Sequence, residues 1–241
     1  MKKNYVLAGL SVVSIVLYLV DYFLLGNVRD IAASFIGNLA FLPVYVIFVT
    51  LMIEQIMREH ERQVVLRKLN MVIGVFFSEV GNHLLRELSR LVVTRDELRE
   101  HLMVKGTWKA DDYQRALAFL SQRDVSFATT ADARINVRAF LVSRRGFLVG
   151  LLENQSLLEH DQFTDLLWSV FHLVEELEAR TDFTGMPQSD IDHLHGDMKR
   201  VFGHLSREWL LYMQHLNQDY PYLFSLAVRL NPMIDQPNPQ V

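Results

Sequence analysis

The stretch FLPVYVIFVTLMIEQIMREHERQVVLRKLNMVIGVFFSEVGNHLLRELSRL, Phe41–Leu91, decides how this chain is organised. Phe41 to Ile53 carry no charge. A collar follows in which Glu54, Arg58, Glu59, Glu61, Arg62, Arg67 and Lys68 crowd together. From Leu69 the pattern becomes amphipathic, with Leu69, Val72, Ile73, Phe76, Val80, Leu84, Leu88 and Leu91 at helical spacing. After Pro43 the stretch meets no proline and no double glycine, so helix is predicted throughout. Met71–Phe77 is too short to cross a bilayer and is closed by Glu79, so it belongs to a core helix or to one lying on a membrane surface.

Working back from this stretch, Lys2 and Lys3 precede an apolar run over 5–25, which at 1.5 Å per residue reaches about 30 Å. No small-x-small cleavage site follows it, which argues against a removable signal. A turn over 26–30 leads to a second apolar run, 31–53. The expected anchor, 1–53, is therefore a two-helix transmembrane hairpin, followed by a charged juxtamembrane helical collar over 54–68. Lys2, Lys3, Arg58, Arg62, Arg67 and Lys68 flank the hairpin on one side, against Arg29 alone in the turn. That asymmetry predicts an integral protein of the cell inner membrane with both termini cytoplasmic. Ala33, Gly37 and Ala40 suit close packing of the two spans, and Pro43 removes one backbone donor from the second. Asp21 lies near the outer end of the first span and is expected to reach water or Arg29.

Two words in this region, NLAFLPVYVIFVTLMI and KLNMVIGVFFSEVG, carry a resemblance that covers Asp30 to Leu85, about a quarter of the chain. The sequence resembles a family of uncharacterised bacterial membrane proteins with two N-terminal spans and a cytoplasmic helical region. The resemblance implies that topology and no activity.

Working forward, 69–231 reads as a cytoplasmic helical domain. Thr94 and Glu97 have capping-box spacing. Helices are expected from Thr107 or Asp111 to Leu120, over 136–152 with an interruption at Arg144, Arg145 and Gly146, from about His160 to Arg180, over 189–217, and over 223–230. The stretch 124–133 reads as a loop, and 232–241 as a disordered tail. Strand signals are few, and the fold class is all-α: a transmembrane hairpin followed by a helical bundle.

Composition narrows the chemistry. The 241 residues include no cysteine, which excludes disulfides, thiolate metal sites and cysteine nucleophiles. Of 24 basic and 28 acidic residues, only Lys2, Lys3, Arg29, Asp21 and Asp30 precede Glu54, so 21 basic face 26 acidic side chains beyond it. A domain of that sign is a poor nucleic-acid binder. Ser78, Ser143 and Ser206 lie in helical patterns without a nucleophile elbow. Glu175–Glu176 and Asp111–Asp112 are adjacent and diverge by 100° on a helix. Arg144–Arg145–Gly146 lacks the strand-to-helix glycine loop of a phosphate site.

One constellation merits weighing. Asp190, His193, Asp197, His204, Glu208 and His215 run along one side of the 189–217 helix, and His with a carboxylate at i, i+4 can chelate a divalent metal. Asp165, His172 and Glu176, or Glu79 and His83, could complete such a site. The stripe is offset one residue from the apolar face Ile191, Leu194, Met198, Phe202, Leu205, Trp209, Met213 and Leu216, so a solvated polar margin is expected. On this reading no catalytic, cofactor-binding or metal residue is assigned and no cofactor is implied. The expected function is a membrane-anchored cytoplasmic helical module acting through protein–protein interaction or signal relay. Its partners would be the lipid bilayer and a protein partner or second copy, not nucleic acid. Two alternatives stand beside it: a metal-dependent helical-bundle enzyme or sensor using the histidine stripe, and an oligomeric membrane effector.

Overall fold

A computed structural model describes residues 2–25, 28–154, 157 and 160–240. The described chain is all-α: α1 (Lys2–Leu25), α2 (Val28–Phe76), a π-helical turn (Phe77–Gly81), α3 (Asn82–Leu91), α4 (Arg95–Leu102), α5 (Ala110–Gln122), α6 (Ala131–Ser143), α7 (Arg145–Leu152), α8 (Asp161–Glu178), α9 (Gln188–Asp219) and α10 (Pro221–Arg229). Its extended pairing is a single isolated bridge between Val92 and Phe127. The chain divides into two compact units, 1–64 and 65–241.

In the first unit α1 and α2 meet edge-to-face at Tyr18 and Phe35. Ala33–Glu61 is long and apolar enough to cross a membrane, and none of its most apolar window is buried within the protein. α1 is 24 residues long, and the apolar stretch among its described side chains is Val12–Phe23. Among the described residues the expected pair of spans is thus reduced to one. The turn residues Gly26 and Asn27, and the side chains of Lys2, Lys3, Arg62, Arg67 and Lys68 used to orient the hairpin, lie outside the description. Within the collar Glu54 and Arg58, one helical turn apart, pair at 3.0 Å.

The second unit is built around α9. It packs on α8, α5, α3, α10 and the π turn. Leu194, Met198, Val201, Phe202, Leu205, Trp209, Leu210, Met213 and Leu216 are all buried along it. The 69–91 segment faces this core: Leu69, Ile73, Phe76, Phe77, Val80, Leu84, Leu85 and Leu88 are buried. The π turn explains how two consecutive phenylalanines point inward. Asn82 N–H bonds to the Phe77 carbonyl five residues back, and the inserted residue shifts the register of the face. Phe76 then meets Phe163 edge-on at 5.4 Å, and Phe77 stacks on Tyr212 at 5.1 Å.

Several local expectations are corrected. Thr94 makes no side-chain cap, because its backbone, φ −96° and ψ 41°, lies outside the extended geometry of an N-cap, and Glu97 pairs with Arg123 of the following segment. The helix expected over 136–152 starts earlier, at Ala131, with Thr130 Oγ1 accepting from Ala133 N–H, and it is divided into α6 and α7 at Arg144, where the Arg144–Arg145–Gly146 interruption stands in the sequence. The tail from 232 begins packed rather than frayed. Met233 is buried, Asn231 Oδ1 accepts from Met233 N–H, and Asp235 pairs with Arg95 and Arg99 of α4.

Gly81 closes the π turn against both rings. A Cβ there would lie 2.5 Å from Phe77 Cδ1 and 3.0 Å from Phe76 Cε1. Neither ring can swing aside, since both are fully buried. Gly81→Ala is expected to destabilise the protein by about 1–3 kcal/mol, the range for overpacking a filled core. Thermal unfolding of the purified chain measures it, and an unchanged midpoint would show that the turn relaxes.

Candidate metal centre

The hairpin formed by α8 and α9 carries the site. His160 Nδ1 accepts the Phe163 N–H and caps α8, whose inner face Phe163, Leu166, Val170, Leu173, Val174 and Leu177 is buried. In the bend, Asp182 Oδ1 accepts from the Thr184 N–H and hydroxyl, and Phe183 is buried. Two arginines of α6 hold this end. Arg138 donates to the Leu177 carbonyl, and buried Arg134 donates to the Phe183 carbonyl at 2.9 Å. Orphan carbonyls at the end of a helix and in a tight bend need such donors.

With the hairpin fixed, His172 and Glu176 on α8 come to face His193 and Asp197 on α9, their ligand atoms all within 4.8 Å of one another. His172 Nε2 lies 3.6 Å from Asp197 Oδ1 and 3.9 Å from Glu176 Oε1. His193 Nε2 lies 3.4 Å from Asp197 Oδ2 and 3.5 Å from Glu176 Oε2. A tetrahedron with metal–ligand bonds of about 2.1 Å has edges of about 3.4 Å. These four separations, each histidine measured to a different oxygen of each carboxylate, lie near that edge, and one ligand atom from each residue falls within 4.8 Å of the others, a spread that a small N/O site can close. Each helix contributes a histidine and, four residues on, a carboxylate, which places both on one face one turn apart.

The four differ in exposure. The Asp197 side chain is 3% exposed, Glu176 24%, His172 44% and His193 53%. Asp197 Oδ1 accepts from Arg200 at 3.0 Å, while its buried Oδ2 accepts no hydrogen bond. Leaving a buried charged acceptor without a donor is costly. Arg180 donates to Glu176 Oε2 at 2.6 Å, and that bond, against the opposing effect of burial, holds the Glu176 carboxyl below the usual carboxylate range.

The polar-margin expectation therefore fails at two positions of the stripe. Asp197 and Glu208 are both buried, because α9 is covered on several sides. The stripe also does not act as one site. Asp190 lies 3.9 Å from Arg180, and His215 pairs with Asp219 at 2.8 Å beside a cleft of about 600 Å³ lined by Asn70, Ser78, Tyr212 and Tyr220. Of the supporting residues considered from sequence, His172 and Glu176 join the cluster and Asp165 is exposed. Glu79 is taken by Arg144, and His83 lies against Phe140, burial lowering its pKa. Arg145 is engaged with Glu178 and the Phe171 ring. Sequence reasoning missed Arg180 and Arg200. Their spacing, i+4 from Glu176 and i+3 from Asp197, was the signal that could have found them.

The family described as "Uncharacterized protein MJ1433, C-terminal helical domain" matches residues 65–229, and "MJ1433, N-terminal helical domain" matches residues 2–57. The chain belongs to the MJ1433 family. It is 38% identical over 221 residues to "Uncharacterized protein MJ1433" of Methanocaldococcus jannaschii, covering 91% of this chain and 88% of that protein. No solved structure matches. The resemblance drawn from sequence pointed to bacteria; the relative found is archaeal. All four candidate ligands fall within the C-terminal domain of the MJ1433 match.

Glu208 offers a separate test of burial along α9. Its Oε1 has no hydrogen-bond partner, and burial pushes its carboxyl up to about 7 against the weaker opposing effect of Arg207. The unfolded carboxyl titrates near 4.5. Between these values the folded state binds more protons, so this group's contribution falls as pH rises from about 4.5 to about 7 and is then constant. Glu208→Gln should flatten that slope and raise stability at pH 8 by up to about 3 kcal/mol. Denaturant unfolding at pH 5 and pH 8 reads the difference.

Proposed function

We propose that this protein is a membrane-anchored helical module that binds a divalent ion of the zinc class between α8 and α9, through His172, Glu176, His193 and Asp197. The carrying observation is the buried Asp197 Oδ2, which accepts no hydrogen bond and stands 3.4 Å from His193 Nε2 within the four-residue cluster. A cation at this point would supply the missing partner. Two imidazoles and two carboxylates are borderline N/O donors that suit zinc or a neighbouring first-row ion, whereas calcium and magnesium favour all-oxygen shells. Each helix supplies half the ligands, so the ion would clamp the hairpin and couple its occupancy to the stability of the domain.

The membrane reading rests on Ala33–Glu61, whose apolar surface is left uncovered by the protein: Ile36, Phe48 and Ile56 are each at least 60% exposed. An isolated apolar helix of this length is stable with that surface in hydrocarbon rather than water. In this proposal α1 makes the second crossing, the basic collar keeps both termini on the cytoplasmic side, and metal-dependent closure of the hairpin is relayed through contact with a protein partner or second copy.

The full chain, purified in detergent after chelator treatment, is expected to take up near-stoichiometric zinc by elemental analysis and to gain thermal stability with it. Asp197→Asn keeps the shape of the side chain and removes the charge, and should abolish both effects, as should His193→Ala. Uptake unchanged in these variants would overturn the proposal. The anchor has its own test: the chain should stay in the membrane fraction through alkaline carbonate extraction, and its release would remove the membrane reading.

A further inference from the structure

The proposed site has an arginine on two of its four ligands, and the two arginines differ. Arg200 bonds Asp197 through Oδ1, leaving Oδ2 free toward His193. Its side chain is 56% exposed, so water screens its charge. Arg180 bonds Glu176 through Oε2, the same oxygen that faces His193 Nε2 at 3.5 Å. It is only 19% exposed. Arg180 Nη1 also donates to the Glu176 carbonyl at 2.6 Å, while its buried Nε has no hydrogen-bond partner.

Arg180 lies beyond the last residue of α8, in the connection to α9, so its backbone is not fixed by helical hydrogen bonds. Its Nη2 lies 3.9 Å from Oδ1 of Asp190, in the first turn of α9 and half exposed. A second acceptor therefore stands within reach of a small side-chain movement.

Resting on the metal-binding reading, we propose that Arg180 fills the site in the metal-free protein, and that a divalent ion displaces its guanidinium from Glu176 toward Asp190. Two like charges drawn to one carboxylate oxygen in a weakly screened place exclude each other. The guanidinium neutralises Glu176 when no ion is bound and raises the concentration of ion needed to occupy the cluster. Asp190 accepts the displaced charge, so it favours the loaded state. The device makes the site a reversible sensor rather than a permanent structural clamp. A supporting outer-shell arginine would behave in the opposite way: its removal weakens metal binding, commonly by 10- to 100-fold.

Zinc affinity of the full chain in detergent, measured by competition with a chromogenic chelator, decides the point. Arg180→Gln keeps a donor for the Glu176 carbonyl and removes the charge. It is expected to tighten zinc binding by about tenfold or more. Asp190→Asn should weaken binding in the wild-type background and have no effect beside Arg180→Gln, a non-additivity that a double-mutant cycle reads directly. Thermal unfolding without zinc identifies any variant that has lost its fold, and Arg180→Met then substitutes as the test, expected to bind zinc more tightly than wild type because it keeps the length of the side chain and lacks the charge. Unchanged or weaker binding by the Arg180 variants, or additive effects with Asp190→Asn, overturns the arginine inference alone when Asp197→Asn still abolishes binding. Zinc binding indifferent to Asp197→Asn and His193→Ala overturns the metal site and this inference together.

Discussion

The domain depends on one helix being buried on more than one side. α9 has to be covered by α8, α5, α3 and α10 at once, and Trp209, Phe202, Met198 and Met213 anchor those contacts. A helix placed centrally loses the polar margin that a surface helix keeps. Residues one position off its apolar stripe are then forced into the interior, where each must find a partner or shift its protonation. Asp197, Ser206 and Glu208 are the three polar side chains of α9 in this position. Asp197 meets two histidines and Arg200; Glu208 stays short of a partner and is held near neutrality by burial.

The same constraint explains the π turn. The segment entering the domain from α2 presents Leu69 and Ile73 to the core at ordinary helical spacing. The extra residue over Phe77–Gly81 then rotates the face so that Phe76 reaches Phe163 and Phe77 reaches Tyr212. Gly81 is small because two aromatic rings already occupy the space its side chain would need. The bend between α8 and α9 is held from the opposite side by Arg134 and Arg138, which satisfy carbonyls that the ending helix leaves without donors.

In the proposed function the cluster has two alternative occupants. Its carboxylates can be neutralised by the arginines and histidines around them, or by a divalent ion bound to the imidazole nitrogens and carboxylate oxygens together. Under that proposal the hairpin is linked to its ionic surroundings, because an ion bridging Glu176 and Asp197 would tie α8 to α9.

The helical character of the chain, its apolar entry segment and the inward face of α9 were legible in the sequence, because helical periodicity is a local property. The i, i+4 His–carboxylate pairs were legible for the same reason. Sequence could not tell that Asp197 is interior while His204, seven residues on along the same side, is only partly buried, because that depends on what covers each turn of α9. It also could not place the two pairs opposite one another. Their meeting depends on the length of the bend, on Arg134 and Arg138 holding it, and on the rotation of α8 about its axis as its leucines seek the core. Thr94 and Glu97 show the converse: a local motif at the right spacing does not form its cap, because the backbone at Thr94 is set by the turn from α3, and Glu97 pairs with Arg123 instead. What the sequence by itself determined is the set of helices and which residues share a face. Which faces are opposed, and so which charges must neutralise one another, only the tertiary packing decided, because burial and distance are properties of the assembled core.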